Sequence, residues 1–351
     1  MASFFLSSCM FFLILAMTIR TSFSLGQFIS WDDLTIKQYP QERIASDQDG
    51  SRIIVVSKDG RGHSKTVRGA IEMVPDGNSE RIKILIYPGI YREKVVIPET
   101  KPYISLIGTG EGDTKITWHS KASDLNAAGQ HVGTFNSATF AVDADYFCAR
   151  QITFENTAMA AVPGAAGEQA VALRLSGDKA MLYQCNILGT QDTLFDHQGR
   201  HYFYGCHIQG SIDFIFGNAK SLYQYCTLHS VARSYGALAA SQRNSPTEDT
   251  GFSFLHCRIT GSGQIYLGRA WGQYSRVVYA HCRIDGIILP VGWGDWNDVS
   301  RRSTAYFGEY RCSGAGAKLE SNVNWGRALT SDEAKPFLTL DYVDGNQWLM
   351  L

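Results

Sequence analysis

Short phrases built around cysteine recur through the middle of the chain and constrain its fold more than any other feature. Residues 183–189 read Tyr-Gln-Cys-Asn-Ile-Leu-Gly and residues 204–210 read Tyr-Gly-Cys-His-Ile-Gln-Gly, and shorter versions begin at Cys226, Cys257 and Cys282. The intervals between these cysteines are 21, 20, 31 and 25 residues, which is too irregular for an array of helical repeats. Coils that share strands and differ in their loops produce such intervals. The sequence therefore predicts an all-β solenoid, a right-handed parallel β-helix.

An aspartate stands seven residues after each of the first two repeated cysteines. Asp192 follows Cys185 at this interval, and Asp213 follows Cys206. Coils stacked in register lie about 4.8 Å apart, so the two carboxyl groups are expected to be neighbours on one surface. A single Asp near a turn usually caps the backbone. Two of them in equivalent positions of adjacent coils favour a role in chemistry.

The segment after residue 59 predicts a helix at the open end of the solenoid. Val67, Ala70, Ile71 and Val74 follow the i, i+3, i+4, i+7 pattern of an amphipathic helix, which Pro75 ends. Such a helix would cover an otherwise unpaired sheet edge. The prediction is an N-terminal capping helix, followed by the first strands at 82–87, 94–97 and 103–107. Residues 331–338 predict a short helix near the C-terminus.

The N-terminus carries an apolar run over residues 4–19, followed by small and polar residues. This pattern is typical of a signal peptide, which we assign to residues 1–24, with an arm at 25–50 and one β-helix domain at 51–351. The protein is therefore expected to be secreted, with no membrane association after the leader is removed. No Asn-x-Ser/Thr acceptor with a non-proline middle residue occurs in the chain, so N-glycosylation is not expected.

Seven cysteines remain beyond the leader, and this odd number leaves at least one thiol unpaired within the chain. Their shared repeat position predicts a stack of small buried side chains. One or two disulfides stay open as an alternative, with Cys226 and Cys257 as the preferred pair. The irregular loop lengths give no metal-ligand spacing, and no metal or cofactor is expected. A net charge of −1 and a pI near 6.7 provide no basic patch for nucleic acid.

Three segments around the stacked acids resemble those of the pectin methylesterases. They are residues 191–195 (Gln-Asp-Thr-Leu-Phe), 213–219 (Asp-Phe-Ile-Phe-Gly-Asn-Ala) and 267–271 (Leu-Gly-Arg-Ala-Trp), and the resemblance extends over nearly the whole chain beyond the leader. It implies a right-handed parallel β-helix that hydrolyses the C6 methyl esters of homogalacturonan in pectin to methanol and free carboxylates. It also implies a location in the cell wall, and proteinaceous pectinesterase inhibitors are candidate partners of a monomeric enzyme.

The resemblance also implies a role for each matched residue. Asp213 corresponds to the nucleophile, and Asp192 corresponds to the general acid that later acts as base. Gln169 and Gln191 correspond to the donors that stabilise the oxyanion, and Arg269 corresponds to the residue that orients Asp213. This division agrees with the physics of two neighbouring carboxyls, because one apparent pKa rises when both cannot ionise.

Aromatic side chains are expected to line the groove, since the faces of sugar rings are apolar. The candidates are Trp271, Trp293, Phe195 and Phe216, beside Arg269, which is also expected to contact substrate. Trp293 and Trp296 are equally well explained as packing residues. The chain departs from the family at Ala270, where most members have Pro, so the backbone there is no longer locked and the loop is expected to be less rigid.

Two other classes of protein fit a β-helix of this kind. A uronide lyase or a polygalacturonase would use a Ca²⁺-assisted base or widely spaced carboxylates, and the close acid pair with two glutamines argues against both. A non-catalytic wall-binding protein would keep the groove and lose the reacting groups, yet every matched group is present. The sequence therefore favours the esterase.

Overall fold

The chain winds into stacked parallel coils, as the repeats predict. The computed structural model describes residues 28–37, 50–110, 114–159, 164–317 and 325–351. Within these ranges, strands of successive coils pair in parallel register, so that His207 lies beside Thr227 in one coil and Thr227 lies beside Arg258 in the next. The architecture is a right-handed parallel β-helix, which confirms the predicted fold.

The strands are short, as expected for a coil that turns a corner every few residues. In chain order they are β1 (Ile29–Ser30), β2 (Arg52–Val56), β3 (Ile82–Ile86), β4 (Gly89–Arg92), β5 (Val95–Ile97), β6 (Ile104–Gly108), β7 (Thr114–Trp118), β8 (Phe140–Val142), β9 (Cys148–Arg150), β10 (Thr153–Asn156), β11 (Leu173–Leu175), β12 (Ala180–Tyr183), β13 (Asn186–Leu188), β14 (Leu194–Asp196), β15 (Arg200–Tyr204), β16 (His207–Gly210), β17 (Ile215–Gly217), β18 (Lys220–Gln224), β19 (Thr227–Ser241), β20 (Gly251–Leu255), β21 (Arg258–Arg269), β22 (Arg276–Ala280), β23 (Arg283–Ile284), β24 (Trp293–Gly294), β25 (Tyr306–Tyr310), β26 (Gly326–Ala328) and β27 (Leu349–Met350).

Most of these strands form three faces of the solenoid. Face 1 contains β2, β3, β6, β9, β12, β15, β18, β20, β22, β25 and β26. Face 2 contains β4, β7, β10, β13, β16, the first halves of β19 and β21, and β23. Face 3 contains β5, β8, β11, β14, β17, the second halves of β19 and β21, and β24. The long strands β19 and β21 therefore run without a break from face 2 into face 3.

The corner between face 1 and face 2 has one constant form. From β9 to β22, each face-1 strand is joined to the next face-2 strand by two residues, as Gln184 and Cys185 join β12 to β13. The first residue of each pair has a positive φ, which is +51° at Gln184 and +53° at His256. The second points into the core. Each non-glycine residue in this left-handed conformation costs about 1–2 kcal/mol, so the corner is a strained feature that these coils repeat.

The repeated cysteines fill this inward corner position in a single column. Cys185, Cys206, Cys226, Cys257 and Cys282 are all buried and all free. The predicted stack of thiols is therefore confirmed, and the alternative prediction of a disulfide between Cys226 and Cys257 is wrong. Parallel strands in register hold the Cβ atoms of such a column at about the coil spacing of 4.7–4.9 Å. That separation exceeds the roughly 3.5–4.5 Å that a disulfide needs.

The rest of the interior consists of aliphatic and aromatic ladders. Phe203, Tyr223, Phe254 and Tyr279 stack on successive coils with ring centroids 4.4, 4.7 and 4.7 Å apart. Each ring is fully buried. Because offset stacking adds to the free energy gained by burying each ring, this ladder reinforces the register that the backbone bonds set.

One enclosed cluster in the core is polar. The Asp196 carboxylate is bonded to His201 Nδ1 at 2.5 Å and accepts a hydrogen bond from the Tyr223 hydroxyl at 2.5 Å. His201 Nε2 donates to the carbonyl oxygen of Gly177 at 2.8 Å. Both ring nitrogens therefore face acceptors, as they do in a protonated imidazole. The cluster joins three successive coils through the centre of the solenoid.

The predicted capping helix is present as α1 (Val67–Glu72). Its buried side chains, Val67, Ala70 and Ile71, pack against the first coil. The Thr66 side chain accepts a hydrogen bond from Gly69 N, and the Glu93 carboxylate accepts from the N–H groups of Val67 and Arg68. The described residues also form the helices α2 (Gly133–Asn136) and α3 (Ser331–Ala334). The short 3₁₀ turns are Asp32–Leu34, Val299–Ser303, Lys335–Phe337, Leu340–Val343 and Gly345–Gln347.

The N-terminal and C-terminal segments cover the outer side of face 1. Strand β1 pairs with β27, and Ile29, Leu34 and Trp348 are fully buried against that face. Residues 28–37 thus lie on the body of the solenoid, while the assigned leader at 1–24 and the rest of the arm up to residue 49 fall outside the described residues. None of the helices within the described ranges has the length and apolar character needed to cross a bilayer.

Candidate active site

Asp192 and Asp213 occupy equivalent positions on adjacent coils, two residues before β14 and β17. Gln191 and Ile212 form a parallel bridge directly before them, and Asp192 N donates to the carbonyl oxygen of Ile212 at 3.0 Å. Both aspartates have positive φ, +61° and +46°. Strained backbone of this kind concentrates at functional sites, where the surrounding structure holds it in place. The constraint directs both carboxyls into one pocket on face 3.

Arg269 clamps the carboxylate of Asp213. Its Nε donates to Asp213 Oδ1 at 2.9 Å, and its Nη2 donates to Asp213 Oδ2. Arg269 lies two coils beyond Asp213, and Ala240 occupies the coil between them. The methyl group of Ala240 leaves room for the long side chain to reach back across that coil. A bidentate guanidinium fixes both the charge and the orientation of the carboxylate.

The surroundings of the two acids affect their pKa values differently. Burial raises the pKa of Asp192 well above its usual range, the nearby charge of Asp213 raises this pKa further, and Arg269 opposes both effects. Burial also raises the pKa of Asp213, but the charge and hydrogen bonds of Arg269 counteract this rise. No donor within the described residues bonds to the Asp192 carboxyl. This difference favours protonation of Asp192 over protonation of Asp213.

Gln169 and Gln191 line the same pocket. Gln191 Oε1 accepts from Gly164 N at 3.0 Å while its Nε2 donates to the carbonyl oxygen of Ala165 at 3.3 Å, and Gln169 Oε1 accepts from Gly167 N at 2.8 Å. These bonds assign the amide orientation in both residues. Each oxygen is occupied by the backbone, so each amide nitrogen keeps an N–H available for a ligand.

Aromatic rings form a continuous line across the cavity, whose volume is about 420 Å³. Phe195 and Phe216 stack on adjacent coils at 4.4 Å, and Trp271 follows at 6.1 Å from Phe216. Phe135 from α2 extends the line at one end, with its ring 6.2 Å from Phe195, and Trp296 extends it at the other, 6.4 Å from Trp271. Trp296 also covers the guanidinium of Arg269, with Cζ 4.0 Å from the ring.

Trp293 is not part of this line, and its assignment to the groove is wrong. Its side chain is only 2% exposed and stacks on Phe307 at 4.5 Å in the core. The physical reason lies one coil earlier, where Gly268 pairs with Trp293. A Cβ at Gly268 would come within 3.1 Å of the indole, so the missing side chain makes the space that the ring fills.

Sequence reasoning missed Trp296 and Phe135 as groove residues. The register supplies a signal for the first, because Gly294 pairs with Arg269 and Trp296 therefore occupies the position of Trp271 in the next coil. No comparable signal marked Phe135, which lies on a short helix in the loop between β7 and β8.

The loop at Ala270 is held by hydrogen bonds. Ala270 N donates to the carbonyl oxygen of Gly294 at 2.8 Å, a bond that Pro could not make. Arg301 Nη1 donates to the carbonyl oxygens of Ala270 and Trp271, both at 2.6 Å. The expectation of a looser loop is therefore offset by contacts that anchor the backbone between Arg269 and Trp271.

Comparison with known proteins gives one consistent result. The family model described as Pectinesterase matches residues 53–346. A pectinesterase of Arabidopsis thaliana, QRT1, is 53% identical over 356 aligned residues, covering 96% of this chain and 93% of the relative. The pectin methylesterase from carrot superposes with a TM-score of 0.76 at 37% identity, covering 84% of this chain and 94% of the carrot protein. A pectin methylesterase solved in complex with a hexasaccharide superposes with a TM-score of 0.71 at 25% identity, covering 83% and 96% of the two chains.

Proposed function

The chain belongs to the pectinesterase family, and we propose that Asp213 and Asp192 perform its reaction, the removal of methyl esters from pectin. The observation that carries this proposal is the asymmetry of the acid pair. Asp213 is held by both nitrogens of the Arg269 clamp, whereas Asp192 beside it has a strongly raised pKa. One carboxylate is thus ready to attack while its neighbour retains a proton.

In the first half of the reaction, a carboxylate oxygen of Asp213 attacks the C6 carbonyl carbon of a methylated galacturonate. The tetrahedral intermediate collapses when the bond from carbon to the methoxy oxygen breaks. Asp192 gives its proton to that oxygen, and methanol leaves. The product is an anhydride between Asp213 and the substrate carboxyl, and Asp192 is now ionised.

In the second half, the Asp192 carboxylate takes a proton from water, and the resulting nucleophile attacks the substrate carbonyl of the anhydride. The bond to Asp213 breaks and returns its carboxylate to the Arg269 clamp. Asp192 is protonated again, and the substrate leaves as a free acid. The sum is one ester and one water converted to one acid and one methanol.

The amide N–H groups of Gln169 and Gln191 stabilise the negative charge on the carbonyl oxygen in both tetrahedral intermediates. Their oxygens are already bonded to backbone N–H groups of residues 164 and 167, so little reorganisation is needed when the charge develops. Fixed donors of this kind are effective because they are aimed in advance at the developing charge.

The substrate is a methylated homogalacturonan segment lying along the aromatic line. Phe195, Phe216 and Trp271 offer apolar surface to the sugar rings. Arg269, which packs against the Trp296 ring, bounds the site at one end. Pectin is the partner that the family relationship supports. The further proposals are secretion to the cell wall after removal of the leader, action as a monomer, and inhibition by proteinaceous pectinesterase inhibitors.

The purified mature protein on methylated pectin tests this function. We expect methanol and acid to appear in equal amounts while the polymer keeps its length, because the ester bond alone is cleaved. Shortened chains would indicate a glycosidase, and an unsaturated product would indicate a lyase. Either result would overturn the proposal.

A further inference from the structure

A row of exposed side chains follows the corner between face 1 and face 2. Tyr225, His256 and His281 occupy the left-handed corner position of three consecutive coils. Their rings stack at centroid distances of 5.2 and 5.1 Å, nearly parallel at 9° and 19°. Tyr225 is 51% exposed. The stacked rings thus present a hydroxyl and two imidazole edges to solvent at intervals of one coil.

Three arginines adjoin this row. Arg258 and Arg283 are directly paired in register on face 2, two residues after His256 and His281, and both are exposed. Arg311 occupies the corner position of the following coil and lies over the Tyr310 ring, with Cζ 5.1 Å from the centroid.

The three arginines have no charged partner among the described residues. Within the described ranges, none of the three arginine side chains forms an ion pair or a hydrogen bond, although Asp285 follows Arg283 by only two residues on the same face. Like charges directly opposite each other on a sheet are destabilising. The pKa of His281 reports the same environment, since burial lowers it first and the charges of His256 and Arg311 lower it further. Closely spaced guanidinium groups of this kind are suited to binding an anionic ligand.

We propose that this basic row, made of Tyr225, His256, Arg258, His281, Arg283 and Arg311, binds a de-esterified segment of homogalacturonan. The inference rests on the proposed function, because such a segment is what that reaction leaves behind. Its repeated carboxylates match the arginines in charge, and its hydroxyls match the polar edges of the ring stack. Since the pocket opens on face 3, the row lies across the solenoid from it, and polymer bound there leaves the pocket free.

The test compares matched double variants for binding to fully de-esterified polygalacturonate, which no longer carries a substrate ester. Arg258→Gln with Arg283→Gln should weaken the affinity roughly tenfold or more, with most of the loss at low salt, where exposed charges are least screened. Arg52→Gln with Arg92→Gln changes the net charge equally on exposed arginines of the first coils, far from the row. This control should bind like the unaltered protein.

Two further measurements define the ligand and separate this inference from the proposed function. Poly-L-glutamate should bind much more weakly than polygalacturonate, because it lacks the hydroxyls that the ring edges contact. Methanol release from a short methylated oligogalacturonide should be the same in both double variants as in the unaltered protein. If none of the three proteins released methanol, the proposed function would be contradicted rather than the basic row. Unchanged affinity in the Arg258/Arg283 variant, an equal loss in the control, or equal binding of poly-L-glutamate would overturn the basic row as a uronide site.

Discussion

Two carboxylate clusters lie near strand β14, one in the pocket on face 3 and one enclosed in the solenoid, and their charged groups are paired to different extents. The pocket cluster of Asp192, Asp213 and Arg269 opens to solvent and leaves one carboxyl without a donor in the described residues. The enclosed cluster of Asp196 and His201 has a partner for every charged atom. Complete pairing suits a structural role, while incomplete pairing leaves a group free to exchange a proton.

The two clusters lie close together in the chain, on the same coils. Asp196 follows Asp192 by four residues, and Phe195 between them points into the pocket. A substitution in either cluster therefore affects residues in or next to strand β14. Substitutions in the pocket cluster should nevertheless lower activity, whereas substitutions in the enclosed cluster should lower stability, and the two effects can be measured separately.

The largest expected effect is on turnover. Asp213→Asn removes the proposed nucleophile and the charge that Arg269 pairs with, so kcat for methanol release should fall by roughly 10⁴-fold or more. The free energy of unfolding should change less than at a fully buried pair, since the amide oxygen can still accept one hydrogen bond and the Arg269 side chain is 20% exposed. Activity near that of the unaltered enzyme would show that Asp213 is not the nucleophile.

Asp196→Asn should produce the opposite result. It removes the charge that pairs with His201, which must then either lose its proton or stay charged without a partner at a fully buried position, and loss of one partner of a buried pair costs up to about 3–5 kcal/mol of stability. Denaturant unfolding should show this loss while kcat of the folded fraction stays unchanged. A matched Tyr223→Phe variant, which removes one hydrogen bond to Asp196, should lose only about 1–3 kcal/mol. If Asp196→Asn abolished turnover without loss of stability, the distinction between the clusters would fail.

Gln191→Ala tests the pocket donors. Loss of one oxyanion donor should lower kcat by about 10²- to 10³-fold with KM nearly constant, because the interaction strengthens only in the transition state. Gln198 is exposed, and among the described residues its side chain donates only to the Ser176 carbonyl oxygen, so Gln198→Ala is the control. A rise in KM at constant kcat would assign Gln191 to ground-state binding instead.

The smallest effect concerns pH and stability. The pKa of Asp192 is raised on folding, so the folded state binds its proton more tightly than the unfolded state does. The stability that this proton contributes is fully present below the pKa of the unfolded state, near 3.8. It is lost as the pH rises through the raised pKa of the folded state. Asp192→Asn cannot ionise, so it should be inactive yet melt at a higher temperature than the unaltered protein at neutral pH. The difference should vanish below about pH 3.8, and a constant difference across this range would contradict the raised pKa.

The sequence revealed the parts of the molecule that repeat. Cysteines at a constant distance from the acids were sufficient to predict the β-helix and the proximity of Asp192 and Asp213. The Trp293 error arose where repetition stops, because an eight-residue connection from β23 to β24 hides whether the indole points inward or outward. The enclosed cluster was missed for a related reason. Asp196 alternates in direction with Phe195, and only its buried partners distinguish it from an exposed charge.

The constant corner between face 1 and face 2 has a consequence for protein engineering. Every coil from β9 to β22 crosses this edge with two residues, whereas the connections from face 2 to face 3 range from none in β19 to twenty-one residues between β7 and β8. Within these coils, variation in the length of the connections is thus confined to the edges that border face 3. Chimeras that exchange substrate-contacting loops between homologues should be joined at the invariant edge, where any two coils present interchangeable ends.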